Sequence, residues 1–244
     1  MNKLLTIFFS IAFLTCKGQE TKKITKDIKG TQYKEVYSVL KSDKITRHGT
    51  YNKIGFNNTI IESGYYKLGL KDSTWISYNW NGIKKLSEGI YLNNEKTGIW
   101  EYYDFKGEIE VRYNYSTNEL LFNKKNEFLD TDKEYKVFVN NDTLRTILDR
   151  EPVFIGSMFN ELFKNIKYPA LARENGKSGK VIVSFVIDKN GKTKNHTIIH
   201  GMGYGCDEEA LRVIKEYLTF WSPALYQEKP VDIEYILPVT FKLQ

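Results

Sequence analysis

The 244-residue chain is poor in two residue types that define whole protein classes. It has 2 cysteines, so it is no disulfide scaffold and holds no four-cysteine zinc site. It has 5 prolines, which excludes a long proline-rich spacer. Basic residues exceed acidic ones by 6, yet no long Lys/Arg block occurs. A nucleic-acid surface needs such a cluster, so the charge reads as a solvated surface and no nucleic acid is expected as partner. Long apolar runs are also scarce. The longest, Leu4 to Thr15, has 12 residues, whereas a membrane-crossing helix needs about 20. The mature chain is therefore expected to lack a transmembrane helix.

That short run follows Lys3 and reads as an export signal over residues 1–18. Two cut sites fit. In one, Phe13-Leu14-Thr15-Cys16 acts as a lipobox and Cys16 becomes lipidated. In the other, a general signal peptidase cuts after Gly18. Both place the mature protein in the periplasm or cell envelope, and the first anchors it to a membrane by lipid. Cys206 is then the one thiol of the folded part, and no intramolecular disulfide is expected.

What is abundant is tyrosine, at 17 residues, together with an internal repeat. Gly64, Tyr66, Trp75, Tyr78 and Gly82 recur 25 positions later as Gly89, Tyr91, Trp100, Tyr103 and Gly107. Gly49-Thr50-Tyr51 looks like a worn upstream copy. Aromatic and β-branched residues alternating with polar ones suit short strands. Asn81-Gly82 and Lys106-Gly107 suit hairpin turns. Each unit is thus expected to be a β-hairpin, stacked on its neighbours to bury its aromatic face. Residues 36–115 resemble the MORN-type repeat in the variant of YwqK-like proteins, in which Gly, Tyr and Trp are mostly architectural. Residues 116–150 are charged and Asn-rich, and read as a connector with one strand at Tyr135–Val139.

The texture changes at Glu151. Met158, Phe159, Leu162, Phe163 and Ile166 recur at helical spacing and predict one apolar stripe of a short helix. Lys180–Ile187 predicts a strand, Asp188 to Gly191 a hairpin turn, and Lys192–His200 the return strand. Asp207 is expected to cap a helix whose stripe is Ala210, Val213, Ile214, Tyr217 and Leu218. Trp221-Ser222-Pro223 ends it. In the last strand, Val231 to Leu243, residues Ile233, Tyr235, Leu237, Val239 and Phe241 share one face. Pro238 lacks an N–H, which suits a strand at a sheet edge.

Seven elements of residues 151–244 closely resemble the TonB C-terminal domain. They are Tyr168-Pro169-x-x-Ala172, Gly179 before VIVSFVID, Asn190-Gly191, CDEEALRVIK from Cys206, WSPA from Trp221, Lys229-Pro230-Val231, and Pro238-Val239-x-Phe241-x-Leu243. The resemblance implies an α+β fold: a β-hairpin, a helix across it and a third strand at the edge. It also implies a function. An edge strand offers unpaired N–H and C=O groups to which an extended peptide can add. In the family that peptide is the TonB box of an outer-membrane transporter.

The residues carried over are Tyr168 and Pro169, with Ile233, Tyr235, Leu237 and Val239 of the last strand as a backbone surface. The expected partner is an outer-membrane TonB-dependent transporter or another envelope protein. A homodimer is compatible with the resemblance. An energy-transducing TonB has a transmembrane helix and a proline-rich spacer, and this chain is read as having neither. Binding without transduction is therefore expected. The alternative is an envelope adaptor that grips a protein or cell-wall component through the repeats.

No enzyme, cofactor or metal is expected. His196 and His200 have ligand spacing for a helix but lie in a strand. Gly201 to Gly205 lacks the third glycine of a dinucleotide loop. Cys206 reads as a small packed residue.

Overall fold

A computed structural model describes residues 19–124, 133–139 and 142–243, so the export signal and Cys16 lie outside the described residues. The fold is mostly β with three short helices. Its first part is a nine-stranded antiparallel meander in which every strand pairs with the next. The strands are β1 (Thr21–Asp27), β2 (Lys34–Leu40), β3 (Arg47–Ile54), β4 (Ile60–Lys67) and β5 (Leu70–Tyr78). They continue as β6 (Lys85–Leu92), β7 (Glu95–Tyr103), β8 (Ile109–Asn114) and β9 (Glu119–Asn123).

The 25-residue repeat has a geometric basis. Gly64 in β4 and Gly89 in β6 each fall where the register with the next strand shifts. The tryptophan of that next strand lies flat on the gap. A Cβ on Gly64 would stand 2.2 Å from the Trp75 ring, and one on Gly89 the same distance from Trp100. Only glycine leaves room for the indole. The strand across each gap turns through a left-handed residue at Ser73 (φ 61°) or Gly98 (φ 60°), again 25 positions apart. The tight turns repeat as well. Leu68-Gly69 and Asn93-Asn94 both take positive φ twice, as a two-residue hairpin demands. At the other end of the sheet the connections are longer, and Gly82 and Gly107 supply their positive φ.

Cations cover the aromatic row at nearly the same period, 24 and 25 residues apart. The Arg47 guanidinium lies 4.4 Å above the Tyr37 ring, Lys71 Nζ 3.7 Å above Trp75, and Lys96 Nζ 4.4 Å above Trp100. Each contributes cation–π attraction while its alkyl stem shields the ring.

The second part is a sheet of order β11-β10-β17-β13-β14. Its strands are β10 (Tyr135–Val139), β11 (Asp142–Thr146), β13 (Gly179–Ile187), β14 (Thr193–His200) and β17 (Lys229–Phe241). Two-residue β12 (Val153–Phe154) pairs with β15 (Trp221–Ser222), and β16 (Ala224–Tyr226) pairs with the start of β17. The helices are α1 (Met158–Asn165), α2 (Ala170–Glu174) and α3 (Cys206–Tyr217). Helix α3 presents Cys206, Ala210 and Ile214 to the core. There they join Val181, Val183, Phe185 and Ile187 of β13 and Ile233, Leu237, Val239 and Phe241 of β17.

The two parts share a seam. Val153, Ile155 and Phe220 belong to the apolar cluster of the first sheet. Phe220 stacks on Tyr115 and meets Tyr113 edge-on, with centroids 5.8 and 5.6 Å apart.

Four expectations change. The strand expected at Tyr135–Val139 is present as β10, but the stretch 116–150 holds two more. Its start is the ninth strand of the first sheet, and β11 pairs with β10, which joins the second. The first sheet is accordingly wider than residues 36–115. Asp207 does not cap α3 through the helix's own amides. Its carboxylate accepts from Met202 N (2.8 Å) and Gly203 N (3.2 Å), bracing the loop that enters the helix. The fourth change concerns α1. Met158, Leu162 and Ile166 pack against the core, while Phe159 and Phe163 point out. Phe159 and Phe163 each lie about 100° round the helix from Met158 and Leu162, so the two rows face different ways.

Candidate functional site

The last strand is flanked unequally. On one side β17 pairs with β13 along its length, from Ile233 opposite Ile187 to Phe241 opposite Gly179. On the other side β10 pairs only with Asp232, Ile233 and Glu234. Beyond Glu234, the stretch Tyr235–Phe241 has no strand on that flank among the described residues. Among the described residues the edge is therefore open over its second half only. In the first half β16 pairs with Lys229 to Val231, and β10 covers Asp232 to Glu234 by supplying the same backbone groups that a foreign strand would. Pro238 stands in the uncovered stretch, where a missing N–H is tolerated.

Side chains alternate along this edge as the two-residue period requires. Ile233, Leu237 and Val239 are buried beneath α3, so what they offer a partner is backbone alone. Ile236 faces outward and is 52% exposed. Tyr235 is half-buried, its ring 5.1 Å from Trp221 and 5.6 Å from Phe185. Burial raises its phenol pKa, so it stays neutral at ordinary pH.

Tyr168 and Pro169 come to the far end of the same strand. The Tyr168 ring meets Phe241 edge-on at 5.9 Å, and its hydroxyl donates to the Lys177 carbonyl. Pro169 precedes α2 and packs on the 203–205 loop, where a Cβ on Gly205 would stand 3.2 Å from it. The chain is held there by Glu209, whose carboxylate accepts from Lys167 N and from Arg212 Nη2 (2.8 Å). That pairing lowers the Glu209 pKa, so the clamp is charged at neutral pH. Two regions about 70 residues apart in sequence thus meet at Phe241, at one end of the free edge.

The residues set aside for chemistry stay apart from each other. Among the described residues, no group of three or more His, Cys, Asp or Glu is placed to hold a metal. His196 stacks on Phe185 at 5.4 Å, and burial lowers its pKa. Cys206 is fully buried, and that burial raises its thiol pKa, the reverse of an activated nucleophile.

Sequence reasoning placed a strand at Tyr135–Val139 but missed β11 and the position of both on the edge. A signal was present. Tyr135, Val137 and Val139 alternate, and Asn140-Asn141-Asp142 is turn-rich, with Leu144 continuing the pattern beyond it.

Residues 164–243, about a third of the chain, match the family model of the Gram-negative bacterial TonB protein C-terminal. The matched span includes Tyr168, Pro169, α3 and all of β17. It begins later than Pro152, leaving β12 and most of α1 outside. Searches of curated proteins and of solved structures return no match.

Proposed function

We propose that the chain is a non-enzymatic TonB-like protein of the Gram-negative cell envelope that captures an extended peptide of an outer-membrane protein by strand addition. The carrying observation is the flank of β17 from Tyr235 to Phe241, which no strand covers among the described residues, inside the segment matched by the TonB C-terminal family. The incoming strand lies beside β17 and in line with β10, extending a sheet that already accepts one strand there. Backbone bonds supply most of the affinity, and Tyr168, Pro169 and Ile236 flank the peptide. The partner is an outer-membrane transporter. Cys16, when lipidated, keeps the domain near the membrane. The first sheet serves as a MORN-like repeat domain that sets the distance or orientation of capture. Among the described residues, no helix is long and apolar enough to cross a membrane.

Crosslinking tests this. A photo-reactive residue at position 236, in the native envelope, is expected to capture an outer-membrane protein. In the isotope-labelled chain, a peptide from that protein is expected to shift the amides of Tyr235 to Phe241. Capture from exposed Ile90 of the first sheet, with none from 236, would instead establish the adaptor reading.

A further inference from the structure

Helix α1 turns Phe159 and Phe163 away from the core, toward the end of the first sheet where the long connections lie. A groove of about 550 Å³ opens there. Phe159 and Phe163 stack at 6.0 Å with planes 12° apart, and Phe105 meets Phe159 at 5.7 Å. Trp80 lines the groove from the β5–β6 connection. These rings are strongly exposed: Trp80 69%, Phe163 68%, Phe105 59% and Phe159 57%. A cluster of large apolar rings around one groove marks a binding surface. The groove is also braced. Asn160 Nδ2 donates to the Tyr103 carbonyl at 2.8 Å, and Lys84 Nζ to the Phe105 carbonyl at 2.9 Å.

Charge decides the occupant. Three lysines line the groove, Lys53, Lys84 and Lys164, and none forms an ion pair among the described residues. The two acids that line it already have lysine partners, Asp104 sharing its lysine with Glu108. Glu62 pairs with Lys71 at 3.2 Å and Asp104 with Lys124 at 2.8 Å. An aromatic floor with a positive rim complements an apolar side chain flanked by carboxylates. Rings lining a groove enclose such a side chain, whereas insertion into a lipid surface needs them to protrude together.

We propose that this groove docks an acidic segment of a partner protein. An aromatic or aliphatic side chain of the segment sits among Trp80, Phe105, Phe159 and Phe163, and its carboxylates face Lys53, Lys84 and Lys164. The site is separate from the β17 edge.

The test uses the full chain and a dye-labelled peptide of alternating Glu and Phe, with an alternating Lys and Phe peptide as control. Trp75, Trp100 and Trp221 are buried, so acrylamide quenching reads Trp80. The expected result is saturable binding of the acidic peptide with protection of Trp80. Phe163→Ala and Lys164→Glu are each expected to weaken it about fivefold or more. Both side chains are at the surface, so thermal midpoints should hold. Equal binding of the basic peptide, no binding of the acidic one, or unchanged affinity in Phe163→Ala would overturn the proposal. So would a Trp80 blue shift on anionic phospholipid vesicles without peptide binding, or a dimer abolished by Phe163→Ala.

Discussion

The two sheets cover their apolar faces by different means. The second uses a helix: α3 lies over β13 and β17, and the core beneath it is aliphatic with a few large rings. Among the described residues, the first has no helix across its aromatic row. Its tryptophans lie on glycines of the preceding strand, and basic side chains close over the rings. In one sheet the cover comes from a distant element. In the other it comes mostly from nearby strands, with Val153, Ile155 and Phe220 of the second part closing one end. Apolar burial in the second is therefore long-range and collective, while in the first it is nearest-neighbour.

The largest expected effect strikes the second sheet. Phe185 is fully buried among α3, β17 and Trp221, so Phe185→Ala should cost about 4 kcal/mol in urea unfolding. Because Val153, Ile155 and Phe220 bind the sheets together, the wild-type chain should show one transition. A split into two would show the seam to be weaker than either core. Next comes the first sheet. Gly89→Ala forces a methyl group into the Trp100 ring and should cost about 3 kcal/mol.

A third prediction separates the cations of the first sheet. Arg47 pairs with Glu35 at 2.9 Å and Lys71 with Glu62 at 3.2 Å. Ser87, 25 residues beyond Glu62, takes the third acid's place, and Lys96 bonds instead to the Tyr102 hydroxyl at 2.9 Å. Burial lowers the Lys96 pKa to about 8, with Glu161 of α1 opposing and Lys71 adding to the shift. A lysine with a lowered folded pKa binds fewer protons folded than unfolded above that value. Stability should therefore rise with pH from about 8, by on the order of 2 kcal/mol before tyrosine ionisation intervenes. Tyr51, Tyr102 and Tyr103 have raised pKa values, chiefly from burial, so their contribution falls away above the ordinary tyrosine range. Lys96→Met should abolish the rise in pH-dependent denaturation. Smallest is Asp207→Ala, which loosens the loop before α3. It should cost about 1 kcal/mol, read as a small drop in urea midpoint.

Much of this contrast was legible in the chain. The offset of 25 marked the glycine and tryptophan of each unit, because a ring lying on a bare Cα tolerates no substitute. The paired cations escaped notice. Arg47 and Lys71 differ in type and stand 24 apart, and a cation over a ring leaves no turn residue or alternation behind. The family motifs at Tyr168 and in β17 placed the candidate edge. They could not show that β10 covers Asp232 to Glu234, since strand pairing across some 95 residues has no local signature. Helical spacing found α1 but not its orientation. A stripe containing Met158, Leu162 and Phe163 does not reveal which members meet a core and which are left to solvent.

The indole-on-glycine contact also bears on how such a chain can change its length. Each tryptophan needs a glycine one strand earlier and reaches no farther than the strand beyond that, as Trp75 does in stacking on Tyr51 of β3. A duplication of 25 residues would insert one more hairpin with its own ring, seat and turn, leaving both ends of the sheet as they were. Reach along the meander can therefore evolve in whole units, while the second sheet, closed by one helix, stays fixed in size.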